Sequence, residues 1–161
     1  MDAAHALLSL RLEKSWGMLT MEYRPDFNAI ESGMDAFINW NKNFVGKEAT
    51  LKARDEGVSK KLVTMVINTH EIDVSGDEAI LKEGAPIGYI SSGGYGHHVG
   101  KSIAMGYVKA ECADAGTILQ VEILGSLYMQ KCSPGQCMTR MGLICILTRR
   151  AHMNIHESEF I

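Results

Sequence analysis

The stretch Gly88-Tyr-Ile-Ser-Ser-Gly-Gly-Tyr-Gly-His-His-Val-Gly-Lys-Ser-Ile-Ala-Met-Gly-Tyr-Val108 concentrates the side chains of this protein best suited to holding a ligand. Two apolar, β-prone runs, 86–90 and 103–108, flank Gly93, Gly94, Gly96 and Gly100. Glycines at that density free a backbone for positive φ and for close approach to another group. The expectation is a mobile loop that presents Tyr95, His97 and His98, although a long turn between two barrel strands accounts for the same glycines. Upstream, Trp16 beside Gly17 is placed to line a pocket, and Glu22 stands in the connection that follows that turn. A solvated loop carboxylate is the plain alternative for Glu22, and core or interface packing is the plain alternative for Trp16 and Trp40. Arg11, set between leucines, reads as an aliphatic stem along the core with its head in water.

Other groupings fail on geometry. Adjacent side chains of an extended strand point apart, so His97 and His98 do not share a metal. Cys132, Cys137 and Cys145 with His152 lack the spacing of a standard zinc knuckle. No Ser-His-Asp or Cys-His arrangement is apparent. The chain is therefore expected to hold no metal and no catalytic residue of its own.

The elements that must position these candidates change character near residue 60. Ala4, Leu7, Leu8 and Leu12 share one helical face, ending near Lys14, while Leu8, Leu10 and Leu12 also alternate as a strand would. Residues 15–30, with Gly17, Pro25 and Asn28, read as a long connection. Met34, Ala36 and Ile38 alternate within 31–38, which predicts a short strand. Gly46–Glu56 predicts a helix closed by Gly57, with Phe44 and Val45 stapled into the core before it. From Lys60 onward come β-branched alternating runs at 62–68, 79–82, 86–90, 103–108 and 117–124. Glu83-Gly84 marks a hairpin turn, and Asp114 with Gly116 a second turn. Ile144–Leu147 suggests one strand more. The fold class is α+β, mainly β: a small antiparallel β-barrel or jelly roll behind a helical lead-in.

Composition sets the outer bounds. The 161 residues are 46% hydrophobic and 22% charged, ordinary for a globular chain that buries about two thirds of its unfolded surface. A net charge of -3 and pI near 6.1 carry no footprint for nucleic acid or an anionic membrane. No apolar run approaches the roughly 20 residues of a bilayer span. Residues 1–13 lack the basic and apolar regions of a signal peptide. Four cysteines without a secretory context read as free thiols. The expected setting is soluble and cytoplasmic, with no nucleic-acid or membrane partner.

A series of short segments then acquires meaning by its order. Leu10-Arg-Leu-Glu-Lys14, Trp16-Gly17, Glu31-Ser-Gly-Met34 and Phe44-Val-Gly-Lys-Glu-Ala49 come first. Lys61-Leu-Val63, Ile87-Gly88, Ser92-Gly-Gly94, Lys101–Val108 and Val121-Glu-Ile-Leu-Gly125 follow. Colinear over residues 6 to 126, they resemble the C-terminal region of the glycine cleavage T-protein (aminomethyltransferase) family. The Leu-Arg-Leu-Glu-Lys and Gly-His-His variants are most similar to the folate-binding end of dimethylglycine and sarcosine dehydrogenases. The organisation this implies is a partial middle, folate-binding segment at 1–58, a C-terminal β-barrel at 59–130 and a divergent tail at 131–161.

The resemblance implies one-carbon chemistry on tetrahydrofolate, with a unit derived from an N-methyl amine. Glu22, Trp16, Tyr95, His97 and His98 are the positions it offers for the folate pocket. FAD would belong only to a full-length protein, since no Gly-x-Gly-x-x-Gly follows a strand near the start. The family's catalytic aspartate and pterin-binding glutamate would lie upstream of Met1. The arginine that grips the folate glutamate tail would fall at Leu7. These departures imply a fragment of the enzyme, inactive alone, whose uncovered apolar face favours a homodimer or a missing N-terminal half. The alternative function is a non-catalytic barrel acting as an interaction or assembly module.

Overall fold

A computed structural model describes residues 3–69 and 72–133; the side chains from 130 onward lie outside the description, as do Ile144–Leu147, Cys137, Cys145 and His152. The lead-in holds helix α1 (Ala3–Glu13), a 3-10 turn (Asp35–Phe37) and helix α2 (Lys47–Glu56). Six strands follow: β1 (Lys60–Ile67), β2 (Ala79–Lys82), β3 (Ala85–Gly96), β4 (Lys101–Lys109), β5 (Ile118–Ile123) and β6 (Ser126–Ser133). They form a closed antiparallel barrel in the order β1-β4-β3-β2-β5-β6. Three residue pairs between β1 and β6, Thr64 with Ser133 through Val66 with Lys131, complete the ring. Among the described residues no helix is long and apolar enough to cross a membrane.

Two-residue turns fix the hairpin registers. Glu83 and Gly84 both take positive φ, 53° and 79°, which matches the twist of the strands that they join. Leu124 and Gly125 repeat the device at 46° and 80° between β5 and β6. Alternation then sorts the side chains. Val63, Met65, Ile67, Ile80, Ile90, Ala104, Leu119 and Val121 fill the barrel, and Val74, from the 72–78 loop, joins that cluster. The outer faces of β1 and β4 are apolar too. Ile103 and Met105 receive Leu12 from α1, while Tyr107 stacks under Phe27 at 3.6 Å and 9°. The lead-in is thus the second layer of the fold, laid over one wall of the barrel.

Four expectations need correction. The glycine-rich segment is not a loop: β3 runs through Gly96, and of its four glycines only Gly100 has positive φ, at +70°. Gly93 and Gly96 answer to crowding. A Cβ on Gly93 would stand 2.4 Å from Val74 Cγ1 and 2.5 Å from its carbonyl oxygen, and one on Gly96 would meet Ile103 Cδ1 at 2.7 Å. The strand expected at 31–38 is a turn, because Asn28 Oδ1 accepts the N–H groups of Ile30 and Glu31 at 3.0 and 2.9 Å, and Gly33 has φ +69°. The other backbone bonds there are local, and the one that reaches the barrel, from the Leu62 N–H to the Glu31 carbonyl at 2.9 Å, builds no ladder. Val45 is fully exposed and Phe44 is 39% exposed. The expected staple is absent because α2 buries none of its residues; it carries Arg54 over the Trp40 ring at 4.6 Å instead. Finally, Leu7 projects into solvent, and the apolar face of α1 reduces to Leu12 with partial cover of Leu8.

Candidate functional site

Glu22 is the centre of the most connected polar group among the described residues. It is fully buried and paired with Arg11, whose Nη1 lies 2.8 Å from Glu22 Oε2. The Met18 N–H donates to the same oxygen at 2.8 Å. Ser91 Oγ donates to Oε1 at 2.7 Å, and Ser92 Oγ donates to it as well. Two donors therefore meet each carboxylate oxygen. Burial by itself would raise this carboxyl's pKa. The hydrogen bonds from Ser92, Met18 and Ser91 and the charge of Arg11 outweigh that effect and hold it below the ordinary glutamate value.

That two successive serines reach one carboxylate requires a break in strand alternation. β3 supplies it: Ile90 pairs with Gly106 and Ser92 with Met105, leaving Ser91 as the extra residue of a bulge. The rest of the loop is tied around the same point. Arg11 Nη1 also reaches the Trp16 carbonyl at 3.4 Å, and its Nη2 the Met21 sulfur at 3.4 Å. The Tyr107 hydroxyl donates to the Glu22 carbonyl at 2.9 Å and lies 2.8 Å from Ser32 Oγ. Burial pushes the Tyr107 phenol up to about 12; Ser32 offsets part of this, and the carboxylates of Glu22 and Glu31 add to it. Gly17 is needed where it stands, since a Cβ there would be 2.6 Å from Tyr23 Cζ.

The candidates named from sequence fall into two groups. Trp16 and Glu22 flank Arg11; Trp16 is 44% exposed and meets Phe37 edge-on at 6.0 Å. Tyr95, His97 and His98 sit at the tip of the β3–β4 hairpin, with the Tyr95 and His97 rings edge-to-face at 5.1 Å. The last turn of α1 supports that tip. Ser9 Oγ donates to the Tyr95 carbonyl at 2.7 Å, and Glu13 Oε1 accepts the His98 and Val99 N–H groups at 2.7 and 3.4 Å. Five and six positions separate His97 from Ser92 and Ser91, or roughly 17–20 Å at 3.3 Å per residue; α1 is the body common to both groups. Among the described residues no cluster of His, Cys, Asp or Glu is arranged to hold a metal ion.

Glu22 has both carboxylate oxygens met by donors of this chain, two on each. It positions the Trp16–Tyr23 loop. Arg11 is corrected in the same way: its head is buried against Glu22 rather than in water. Sequence reasoning missed Ser91, Ser92, Ser32 and Glu13. Two adjacent serines in a strand carry no sign that a bulge turns both to one side.

Comparison with known proteins gives this geometry a context. Residues 60–135 match the glycine cleavage T-protein C-terminal barrel domain. The chain is 35% identical over 126 residues to the mitochondrial dimethylglycine dehydrogenase of Mus musculus, covering 77% of this chain and 14% of that protein. It is 33% identical over 135 residues to an aminomethyltransferase of Desulfitobacterium hafniense, covering 83% and 37%. Both alignments are longer than the stretch from residue 60 to the C-terminus, so they take in part of the lead-in. The crystal structure of glycine cleavage system aminomethyltransferase T from Bartonella henselae superposes with a TM-score of 0.72 at 26% identity, over 80% of this chain and 37% of that one. The chain spans about a seventh of the dehydrogenase and little more than a third of the aminomethyltransferases. A barrel of this topology, carrying a lead-in that is matched along with it, makes residues 60–135 a glycine cleavage T-protein C-terminal barrel domain, in a chain similar to aminomethyltransferases and dimethylglycine dehydrogenases.

Proposed function

We propose that the chain forms part of the wall of a tetrahydrofolate site in a one-carbon enzyme of the aminomethyltransferase or dimethylglycine dehydrogenase type. The observation that carries this reading is the Glu22 node. A loop bearing a half-exposed tryptophan is held to the barrel by a buried carboxylate with two donors on each oxygen. Such a node fixes the loop's shape before any ligand arrives, which lowers the ordering cost of binding. When bound, tetrahydrofolate would supply the amine that accepts the one-carbon unit. The residues that fit it are exposed rings, Trp16 on one side of α1 and Tyr95 with His97 on the other. Glu22 and Arg11 act behind them as positioning residues. The described strands are all antiparallel and offer no strand–turn–helix cradle for a dinucleotide, so no flavin step is assigned to this chain.

On this reading the small partners are folate and a unit derived from an N-methyl amine. A second copy of the chain would cover the exposed side chains Leu7, Leu10 and Leu19; sedimentation showing one 17.7 kDa species across the micromolar range would count against it. The compartment is taken as cytoplasmic, the buried free thiol of Cys112 suiting a reducing milieu. Cell fractionation decides this, since the mouse and human dehydrogenases are named as mitochondrial. The comparisons do not favour the alternative of a non-catalytic assembly module. The test is an anaerobic tetrahydrofolate titration of the full chain, read by tryptophan fluorescence and calorimetry. Saturable binding that weakens in Trp16→Ala supports the site, and no binding at millimolar ligand refutes it for this chain alone.

A further inference from the structure

β6 outruns the strand beside it. β1 accompanies it only from Ser133 to Lys131, whereas β5 pairs with it as far as Ser126. Among the described residues, Ser126–Gln130 therefore has a ladder on one side alone. Such an edge is a template for another strand, and it is ordinarily blunted by charge, proline or a covering segment. The overhang of β1 at the other end of the same seam, Lys60–Val63, has that protection. It carries two lysines, and its Leu62 N–H donates to the Glu31 carbonyl at 2.9 Å. Ser126-Leu-Tyr-Met-Gln130 has neither charge nor proline, and its outward side chains, Leu127 and Met129, are 56% and 60% exposed.

We propose that this edge joins a second copy of the chain about a two-fold axis, β6 antiparallel to β6. A pairing centred on Tyr128 is the register that uses all five free residues of both copies, with Ser126 opposite Gln130 and Leu127 opposite Met129. Centring it on Met129 would set Leu127 opposite Lys131, where β1 already pairs. Centring it on Leu127 would set Met129 opposite Gly125 of the turn. On the outer face the Tyr128 register brings two leucines and two methionines side by side. They are bordered by Glu122 and Gln120, which stand across from Leu127 and Met129 in the β5–β6 ladder. An apolar centre with a polar border, and no like charges opposed, suits an interface between copies. The contact is isologous, so it closes at two copies. Five residues a side bury on the order of 1,000 Å² in total, the lower limit for a specific interface, so the dimer is weak, with a dissociation constant of about 100 µM. This surface lies apart from α1, which packs on β3 and β4, and it needs no folate.

Sedimentation velocity of the full chain in reducing buffer, from the micromolar to the millimolar range, tests it. The 17.7 kDa species should give way to one of twice that mass as concentration rises. Met129→Lys should raise the dissociation constant about tenfold or more with the melting temperature unchanged, since the side chain it replaces is exposed. Leu10→Glu, on α1, should leave the equilibrium in place. Amide exchange at Leu127–Met129 should slow as the dimer forms. A monomer at every concentration overturns the proposal, as does a dimer that survives Met129→Lys. Loss of the dimer in Leu10→Glu alone assigns the contact to α1 and overturns it too. Protection of the Leu127–Met129 amides that is independent of concentration assigns the edge to a segment of the same chain, such as 144–147, and overturns the second copy.

Discussion

Arg11 and Glu22 form a fully enclosed ion pair, 2.8 Å between Nη1 and Oε2, that joins the last turn of α1 to the loop behind it. A buried pair of this kind stabilises only if its remaining donors and acceptors are met. Here the carboxylate's remaining lone pairs are met by Met18, Ser91 and Ser92, while Arg11 Nε is buried with no hydrogen-bond partner among the described residues.

Removing one partner should therefore be costly. Glu22→Leu strands the Arg11 charge and is expected to destabilise the chain by about 3–5 kcal/mol. The double change Arg11→Met with Glu22→Leu should recover only part of this, because two donors, Met18 N–H and Ser92 Oγ, lose their acceptor at about 1–3 kcal/mol each, while Ser91 Oγ keeps the Met105 carbonyl at 3.1 Å. Urea unfolding of the three variants checks it; a double variant as stable as the native chain would show that the serines and Met18 contribute nothing.

The lowered Glu22 pKa makes stability fall in acid. The folded carboxyl titrates below its unfolded value of about 4.3, so its contribution is complete above that pH and is lost as pH falls through the folded value. Unfolding free energy measured from pH 6 down to pH 2 should drop more steeply for the native chain than for Glu22→Gln. Parallel curves would rule the carboxylate out as the source.

At the alkaline end the sign reverses. Tyr107 is raised to about 12 from an unfolded value of about 10, so its contribution is complete below pH 10 and is lost as pH rises from 10 towards 12. Tyr107→Phe keeps the stack on Phe27 but loses the hydroxyl's bonds to the Glu22 carbonyl and Ser32 Oγ, at about 1 kcal/mol near neutrality, the carbonyl keeping the Arg24 N–H at 3.2 Å. Melting temperatures between pH 9 and 11.5 should decline less in this variant than in the native chain.

Gly93→Ala should destabilise the barrel by about 1–3 kcal/mol, since its methyl group would press on both the side chain and the carbonyl oxygen of Val74. Adding Val74→Ala relieves the side-chain contact at 2.4 Å but not the backbone contact at 2.5 Å. Thermal unfolding should accordingly show incomplete rescue. Complete rescue would mean that the 72–78 loop shifts freely, contrary to the burial of Val74.

Much of the barrel is legible in the sequence because its signals are local. Alternation, β-branching and the Glu83-Gly84 turn depend on a few neighbouring residues, and the strands at 62–67, 79–82 and 86–90 follow from them. So does α2, between Gly46 and Gly57. The segments resembling the T-protein family in order are likewise a property of the chain alone. What the sequence could not determine depends on partners distant along it. Whether Gly93 is a flexible hinge or a crowded strand residue is decided by Val74 pressing on it. Whether Arg11 reaches water is decided by Glu22, and whether Glu22 is a loop carboxylate or a buried node is decided by Ser91 and Ser92, some seventy residues later. A charge or a glycine has no fixed meaning until the surrounding dielectric and the nearest atoms are set, and only the closure of the barrel under its lead-in sets them.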